Sequence, residues 1–305
     1  MPDLDPEERA PAPDIVDVDV RAWVESVRAD PTLYRDRQVT EIVLTAIGLT
    51  PSLHDTLVLK GGAVMALAFK SSRVTADVDF TATVEPTDLA DRIAEDLNAV
   101  LPRTATRLGY LDLLCRVQTV EKRPRPQNFE EQDFPALLLR IGSAQRGTGE
   151  ERRFERGMAS RVLDIEITFR DQVYAFQELN LTGANVAVRA FTLHEVIAEK
   201  LRALLQQPIR NRNRRQDIYD ISYLVEGQTL DDEARRVILA TLIEKCRSRG
   251  ITPTPDSMDN PEVYRRAEQD WESLALELGD LPPFEERFAV VRDFYLSLPW
   301  PSPKQ

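Results

Sequence analysis

Between Lys60 and Phe80 the chain reads Lys60-Gly61-Gly62, a short apolar stretch, and then Asp77-Val78-Asp79-Phe80. Acids alternating with apolar residues fit an extended strand, whose successive side chains point to opposite faces. Asp77 and Asp79 then share one face and Val78 and Phe80 the other. Two carboxylates on one face repel each other unless a cation sits between them. The double glycine can bring backbone N–H groups up against a phosphate. An Asp-x-Asp triplet alone is common at surface turns. Its apolar strand and the upstream glycine turn are what predict a divalent-metal and triphosphate site, in a unit of strand, glycine turn, short helix and second strand.

The chain has 305 residues, room for two domains with real cores, and its 42% hydrophobic and 30% charged content is ordinary for a globular protein. No apolar run approaches the ~18 residues that span a bilayer, so no membrane association is expected. The start, Met1-Pro2-Asp3-Leu4-Asp5-Pro6-Glu7-Glu8, is acidic and proline-rich, unlike a signal peptide. Cys115 and Cys246 lie far apart without metal-ligand spacing. They are expected to be buried thiols in a reducing cytoplasm. The net charge of −12 argues against a surface coated in nucleic acid. A polyanion such as RNA would instead meet two local basic patches. One is Arg210, Arg212, Arg214 and Arg215; the other is Lys122, Arg123 and Arg125.

Residues 1–14, rich in proline and acid, are expected to be a disordered tail. A helix is predicted from Leu33, with Val39, Ile42, Val43, Ala46 and Ile47 in register, stopped by Gly48 and Pro51. Strands are predicted at 56–60 and 75–80, on either side of an apolar helix at 63–69. One helix is expected from Pro86 through Val100, with Thr87 as its N-cap. Three strands follow at 111–120, 134–141 and 161–169, separated by long charged loops at 121–133 and 143–160. After residue 190 the texture turns helical. Thr192-Leu193-His194-Glu195 reads as a capping box, and Pro208 as the end of its helix. Helices are then expected at 215–225 and 231–248, at 261–278 behind Asn260-Pro261, and at 283–296. The division predicted is an α/β domain over 15–190 and a helical domain over 191–298, with a tail at 299–305.

Further candidates join Asp77 and Asp79. In the strand 161–169, Leu163, Ile165, Ile167 and Phe169 face one way and Asp164 and Glu166 the other. Glu166 is the natural third carboxylate for Mg²⁺, which favours octahedral oxygen coordination. Asp164 competes for that place, and a solvent-facing edge strand is the plain alternative. Lys60 and Arg73 flank the glycine turn and could contact phosphate, with surface charge as the plainer reading of Arg73. Lys200 sits near the buried edge of its helix and needs a partner or a polyanion. Asp217 and Asp220 share a face of the next helix. A Lys200–Asp217 pair that only ties two helices together is the alternative to a catalytic role. His54 and His194 are assigned no chemistry, and Trp23, Trp271 and Trp300 are expected in the core or in docking contacts. A metal-dependent glycosyltransferase or phosphohydrolase, or a non-catalytic binding protein, would satisfy some of these features.

Taken in order, Lys60-Gly61-Gly62-Ala63, Asp77-Val78-Asp79-Phe80, Asp164 to Asp171, Glu195 to Leu204 and Arg215-Gln216-Asp217-Ile218-Tyr219-Asp220 resemble the AbiEii-type nucleotidyltransferase toxins. The likeness runs from about residue 38 to 296. The resemblance implies an α+β fold: a polymerase-β-like nucleotidyltransferase domain with a mixed or antiparallel sheet, followed by an all-helical domain. It implies Mg²⁺, a nucleoside triphosphate and a role in toxin–antitoxin or abortive-infection phage defence, with an antitoxin from an adjacent gene. It further implies transfer of a nucleotide to an RNA 3′ end, the tRNA acceptor in some members, by a monomer. Carried over by position, Asp77 and Asp79 are the metal pair, with Glu166 where the family often has Asp. Lys200 and Asp217 are the motif residues of the helical half. Lys60, Gly61, Gly62, Arg73 and Thr75 are the nucleotide-binding set. Thr75 also matches a serine whose phosphorylation silences some relatives. Gly62 stands where the wider superfamily has serine, so a hydroxyl contact to phosphate is missing.

Overall fold

The structure is a computed structural model and describes residues 13–75, 77–124 and 126–301. A short strand, β1 (Ile15–Val18), leads into helix α1 (Val20–Glu25), capped by the Asp19 carboxylate, which accepts the Ala22 N–H. Helix α2 (Pro31–Leu49) starts on Asp30, whose carboxylate accepts two backbone N–H groups, and has proline in its first turn, where a missing N–H costs nothing. Its stretch from Val39 to Ile47 is buried throughout. One turn, α3 (Pro51–His54), precedes β2 (Leu57–Lys60), and the glycines open α4 (Gly61–Leu67) before β3 (Asp77–Ala82).

The helix expected from Pro86 is two helices, α5 (Pro86–Ala90) and α6 (Ile93–Arg107). Thr87 lies inside the first of them; the N-cap position belongs to Glu85, which makes no side-chain capping bond. Next come β4 (Leu113–Arg123), β5 (Ala136–Gln145), α7 (Gly149–Glu155), β6 (Arg161–Phe169), β7 (Phe176–Leu181) and β8 (Val186–Phe191). Helix α7 occupies part of the charged segment expected to be loop, and β1, β7 and β8 are strands beyond the five expected.

These eight strands form one sheet in the order β1-β7-β8-β2-β3-β6-β5-β4. The pairs β1/β7, β2/β8 and β3/β6 run parallel and the other four antiparallel. The sheet is therefore mixed, as the resemblance implied. Helices α2 and α6 pack against each other on the sheet, α2 over β8 and β6 and α6 over β4. The acid-bearing face looks toward the helices that follow.

Those are α8 (Leu193–Arg210), α9 (Arg215–Gly227), α10 (Asp232–Arg247), α11 (Pro261–Glu268), α12 (Ala275–Leu278) and α13 (Phe284–Leu296). Thr192 caps α8 by accepting the Glu195 N–H, but the Glu195 carboxylate turns to Lys245 at 2.7 Å, so only half of the capping box forms. Pro208 lies inside α8 near its end, and Asn211 in the left-handed region closes it. The long helix expected through Leu278 breaks after Glu268. Asp270 adopts φ 60°, and Trp271 anchors a tight turn by donating to the Pro282 carbonyl at 3.0 Å. The apolar residues of sheet and helices form one continuous core, from Val18 to Leu298. Both cysteines are buried and free. Among the described residues no helix is long and apolar enough to cross a membrane. The expected tails lie largely at 1–12 and 302–305, outside the described residues, as does Arg125 of the second basic patch.

Candidate active site

Register sets the centre of the site. Lys60 on β2 pairs across the ladder with Asp79 on β3, and Asp79 pairs with Glu166 on β6. Partners directly opposite in adjacent strands project to the same face, so Lys60, Asp79 and Glu166 stand abreast in one row. Asp77 and Asp164 form the next row out. Gly61 turns the chain at φ 67°, and a Cβ there would collide with Oδ2 of Asp79. The glycine is thus required by the close approach of the carboxylate as well as by its backbone angle.

Lys60 reaches along the sheet. Its Nζ donates to Oγ1 of Thr168 at 2.7 Å and to the Asp171 carboxylate at 3.1 Å. Burial works against its charge, but Asp171, Glu199 and Asp79 outweigh that and hold the ammonium above its ordinary range. Asp79 is the converse case. Burial, opposed by Lys60 but reinforced by Asp77 and Glu166, pushes its carboxyl up to about 6.

This row forms part of the wall of a cavity of about 580 Å³ between the sheet and the helices. Helix α8 contributes Glu199, Lys200, Arg202 and Gln206, α9 contributes Asp217, and the connection between them contributes Arg212 and Arg214. Eight lysines and arginines line it against five aspartates and glutamates, a local excess of positive charge in a chain whose net charge is −12. Arg210, Arg212 and Arg214 are at its edge. Arg215 begins α9 and does not line the cavity.

Lys200 is buried and donates to Asp217 Oδ1 and Asp220 Oδ2, each at 2.8 Å. Burial disfavours its charge, yet the two carboxylates raise its pKa. The ion pair between helices is therefore present, and it lies on the cavity wall.

Several expected residues are placed otherwise. Arg73 is neither a surface charge nor part of the cavity lining. It is buried, and its guanidinium is taken up by Asp220 and Glu277. Thr75 lies against Gly62, where a Cβ would come within 2.5 Å of its Oγ1, and Thr75 does not line the cavity either. Asp77 is exposed at the start of β3. Asp164 pairs at 3.6 Å with Arg140 on the neighbouring strand, whereas Glu166 lines the cavity. Lys122 pairs with Asp91 at 3.1 Å. His54 sits between Asp55 and Glu178, on the β7 side of the sheet.

Other groups were missed. Asp171 receives Lys60 and also Arg249, whose guanidinium stacks 3.1 Å from the centroid of Phe134. Arg202 is fixed between Glu199 and Gln206 on its own helix. Asp171 ends the motif that begins at Asp164 and could have been picked out as a partner for Lys60. Arg249, beyond the end of α10, carried no signal of its own.

Among the described residues no three His, Cys, Asp or Glu side chains already converge as a metal cage. The donor chemistry nonetheless fits a hard divalent cation. Three carboxylates lie close enough for Asp77 and Glu166 to raise Asp79, and a bound cation is what relieves such repulsion.

A mixed sheet carrying acids, faced by a helix carrying a buried lysine, is an arrangement suited to handling phosphate esters. The sequence model of the family described as "Nucleotidyl transferase AbiEii toxin, Type IV TA system" matches residues 43–291. The chain belongs to that family of nucleotidyltransferase toxins, and membership implies an antitoxin counterpart. Among solved structures it is similar to MenT4, a nucleotidyltransferase toxin from Mycobacterium tuberculosis H37Rv, with TM-score 0.51 and 18% identity, over 90% of this chain and 88% of that one. That likeness shows a shared fold. A nucleotidyltransferase-like antigenic protein from Paracoccidioides brasiliensis also matches, at TM-score 0.35 and 13% identity over 72% of this chain and 98% of that one, too distant to carry an argument. No curated protein matches the sequence.

Proposed function

We propose that this toxin transfers a nucleoside monophosphate from a nucleoside triphosphate to the 3′ end of an RNA, the tRNA acceptor stem, with Mg²⁺ as cofactor. The observation that carries the reading is the row Lys60, Asp79, Glu166 at matched register in a cation-rich cavity. Asp77, Asp79 and Glu166 would hold the metal. Bound there, Mg²⁺ would offset the clustered carboxylates, lower the pKa of the attacking hydroxyl and stabilise the leaving oxygens.

The chain's own groups do the rest. Gly61 brings the backbone turn to the cavity wall, with the Asp79 carboxylate close against it, while Thr75 covers the buried Gly62. Lys60 and Lys200 supply positive charge to the triphosphate from the sheet and from α8. The RNA 3′-oxygen forms a bond to the α-phosphorus and gives up its proton to solvent water. The bond to the bridging oxygen breaks, and pyrophosphate leaves with that electron pair. Arg210, Arg212 and Arg214 at the cavity edge, with Arg215 behind them, would contact the RNA backbone, which explains how an acidic protein meets a polyanion locally.

Incubation with each labelled triphosphate, Mg²⁺ and total tRNA tests this. Label on tRNA that disappears with Asp79→Ala and with chelator is the expected result. Absence of transfer from all four triphosphates by wild-type protein would overturn it.

A further inference from the structure

The pair Arg73–Asp220 has no place in a nucleotide site, since neither side chain lines the cavity, yet both are buried and Asp220 is 0% exposed. Arg73 grips Asp220 with two parallel bonds, Nε to Oδ1 and Nη2 to Oδ2, both 3.0 Å. The same Oδ2 accepts Lys200 Nζ at 2.8 Å, and Lys200 reaches Asp217 Oδ1 at 2.8 Å. The other oxygen of Asp217, Oδ2, is buried and has no hydrogen-bond partner among the described residues; Arg214 Nε lies 3.9 Å from it. Asp217 lines the cavity.

Buried ion networks are weak devices for stability but strong ones for geometry. An ammonium has three donors and no preferred plane, and facing a single carboxylate it can bridge both oxygens. Asp220 takes one of those donors. The planar fork of Arg73 keeps the Asp220 carboxylate from turning. Arg73 also stands four residues before Asp77, on the segment that feeds β3. That segment is tied to the helical half a second time, through the Val74 N–H to the Glu277 carbonyl at 3.2 Å.

We propose that Asp220 and Arg73 are positioning residues for the transfer reaction. Asp220, fixed by Arg73, shares Lys200 with Asp217 so that Oδ2 of Asp217, a residue of the cavity wall, is left without a partner, and the same pair ties α9 to the segment delivering Asp77 and Asp79. This rests on Lys200 and Asp217 belonging to the transfer site.

The experiment compares wild-type protein with Asp220→Asn and Glu277→Gln in tRNA labelling and in growth arrest, at equal soluble amounts. Asp220→Asn keeps the shape but removes the charge. It is expected to lower kcat at least 100-fold, with KM for the triphosphate changed less than about threefold, and to abolish growth arrest. Glu277→Gln neutralises the outer partner of Arg73, a carboxylate that also accepts the Gln216 side chain, and is expected to stay within threefold of wild type in both assays. A folded Asp220→Asn with wild-type kcat and wild-type growth arrest would overturn the proposal. So would equal losses in the two variants that follow their melting temperatures. If Asp220→Asn does not fold, Arg73→Lys keeps the charge and loses the fork. It is then expected to cost at least tenfold in kcat, and a wild-type rate there is also contrary. Wild-type protein that arrests growth without labelling RNA would defeat the proposed acceptor, while the comparison of variants in growth arrest still decides the role of Asp220.

Discussion

At the scale of single residues, the site is a set of close approaches that tolerate little change. Gly61 combines a positive φ with the Asp79 carboxylate lying where a Cβ would go. Gly61→Ala is expected to destabilise by about 1–2 kcal/mol from the backbone angle alone. It should also displace Asp79, with transfer falling at least 100-fold; melting curves and labelling check the two effects separately. The sequence left Asp164 and Glu166 as rivals because both share one face of one strand. Only the fold separates them, by giving Asp164 to Arg140 and Glu166 to the cavity. Glu166→Gln is therefore expected to abolish labelling and Asp164→Asn to leave it within a few-fold. Equal losses in both would place the third carboxylate wrongly. Lys200→Ala leaves Asp217 and Asp220 facing each other in a buried place, and is expected to cost roughly 3–5 kcal/mol of stability as well as activity.

At the scale of elements, the acid face of the sheet is tied to the helices by charge. Asp171, two residues past the end of β6, meets Lys60 and Arg249; Asp220, on α9, meets Lys200 and Arg73. Burial alone would raise both carboxyls, but the cations prevail and hold them below the ordinary carboxylate range. A depressed folded-state pKa contributes stability that is fully present above the unfolded value, near 4, and is lost as pH falls toward the folded value. The melting temperature is therefore expected to drop steeply below about pH 4, and Asp171→Asn should flatten that drop while lowering stability at pH 7. Melting curves across pH 7 to 3 test it. Local periodicity made β6 legible to the residue and located β2, β3 and helices α8 to α10. What it could not give were pairings and interruptions. β1 gains its place only by pairing with β7 at the sheet edge, and β7 and β8 pair with each other. The break at Asp270 follows from a left-handed residue inside a sequence that kept helical spacing. Arg73 read as surface charge because its partners, Asp220 and Glu277, lie more than a hundred residues away.

At the scale of the whole molecule, an acidic chain concentrates positive charge around one cavity. Lys60, Asp79, Lys200 and Asp217, which all line the cavity, each sit in a compact motif that singles them out in the sequence. The cavity that gathers them is a property of the fold. If RNA is met through the arginines at its edge, binding should weaken with salt. Replacing Arg210, Arg212 and Arg214 with Gln should reduce the logarithmic salt slope by about 0.7 for each RNA phosphate that is no longer neutralised. Binding titrations at several salt concentrations measure this, and an unchanged slope would move the RNA path elsewhere. The most direct measurement of the central claim is a crystal structure with Mg²⁺ and a non-hydrolysable triphosphate. The account predicts metal bound by Asp77, Asp79 and Glu166, with the phosphates beside Gly61 and within reach of Lys60. Metal and phosphates seated away from that row, with the three carboxylates unligated, would contradict it.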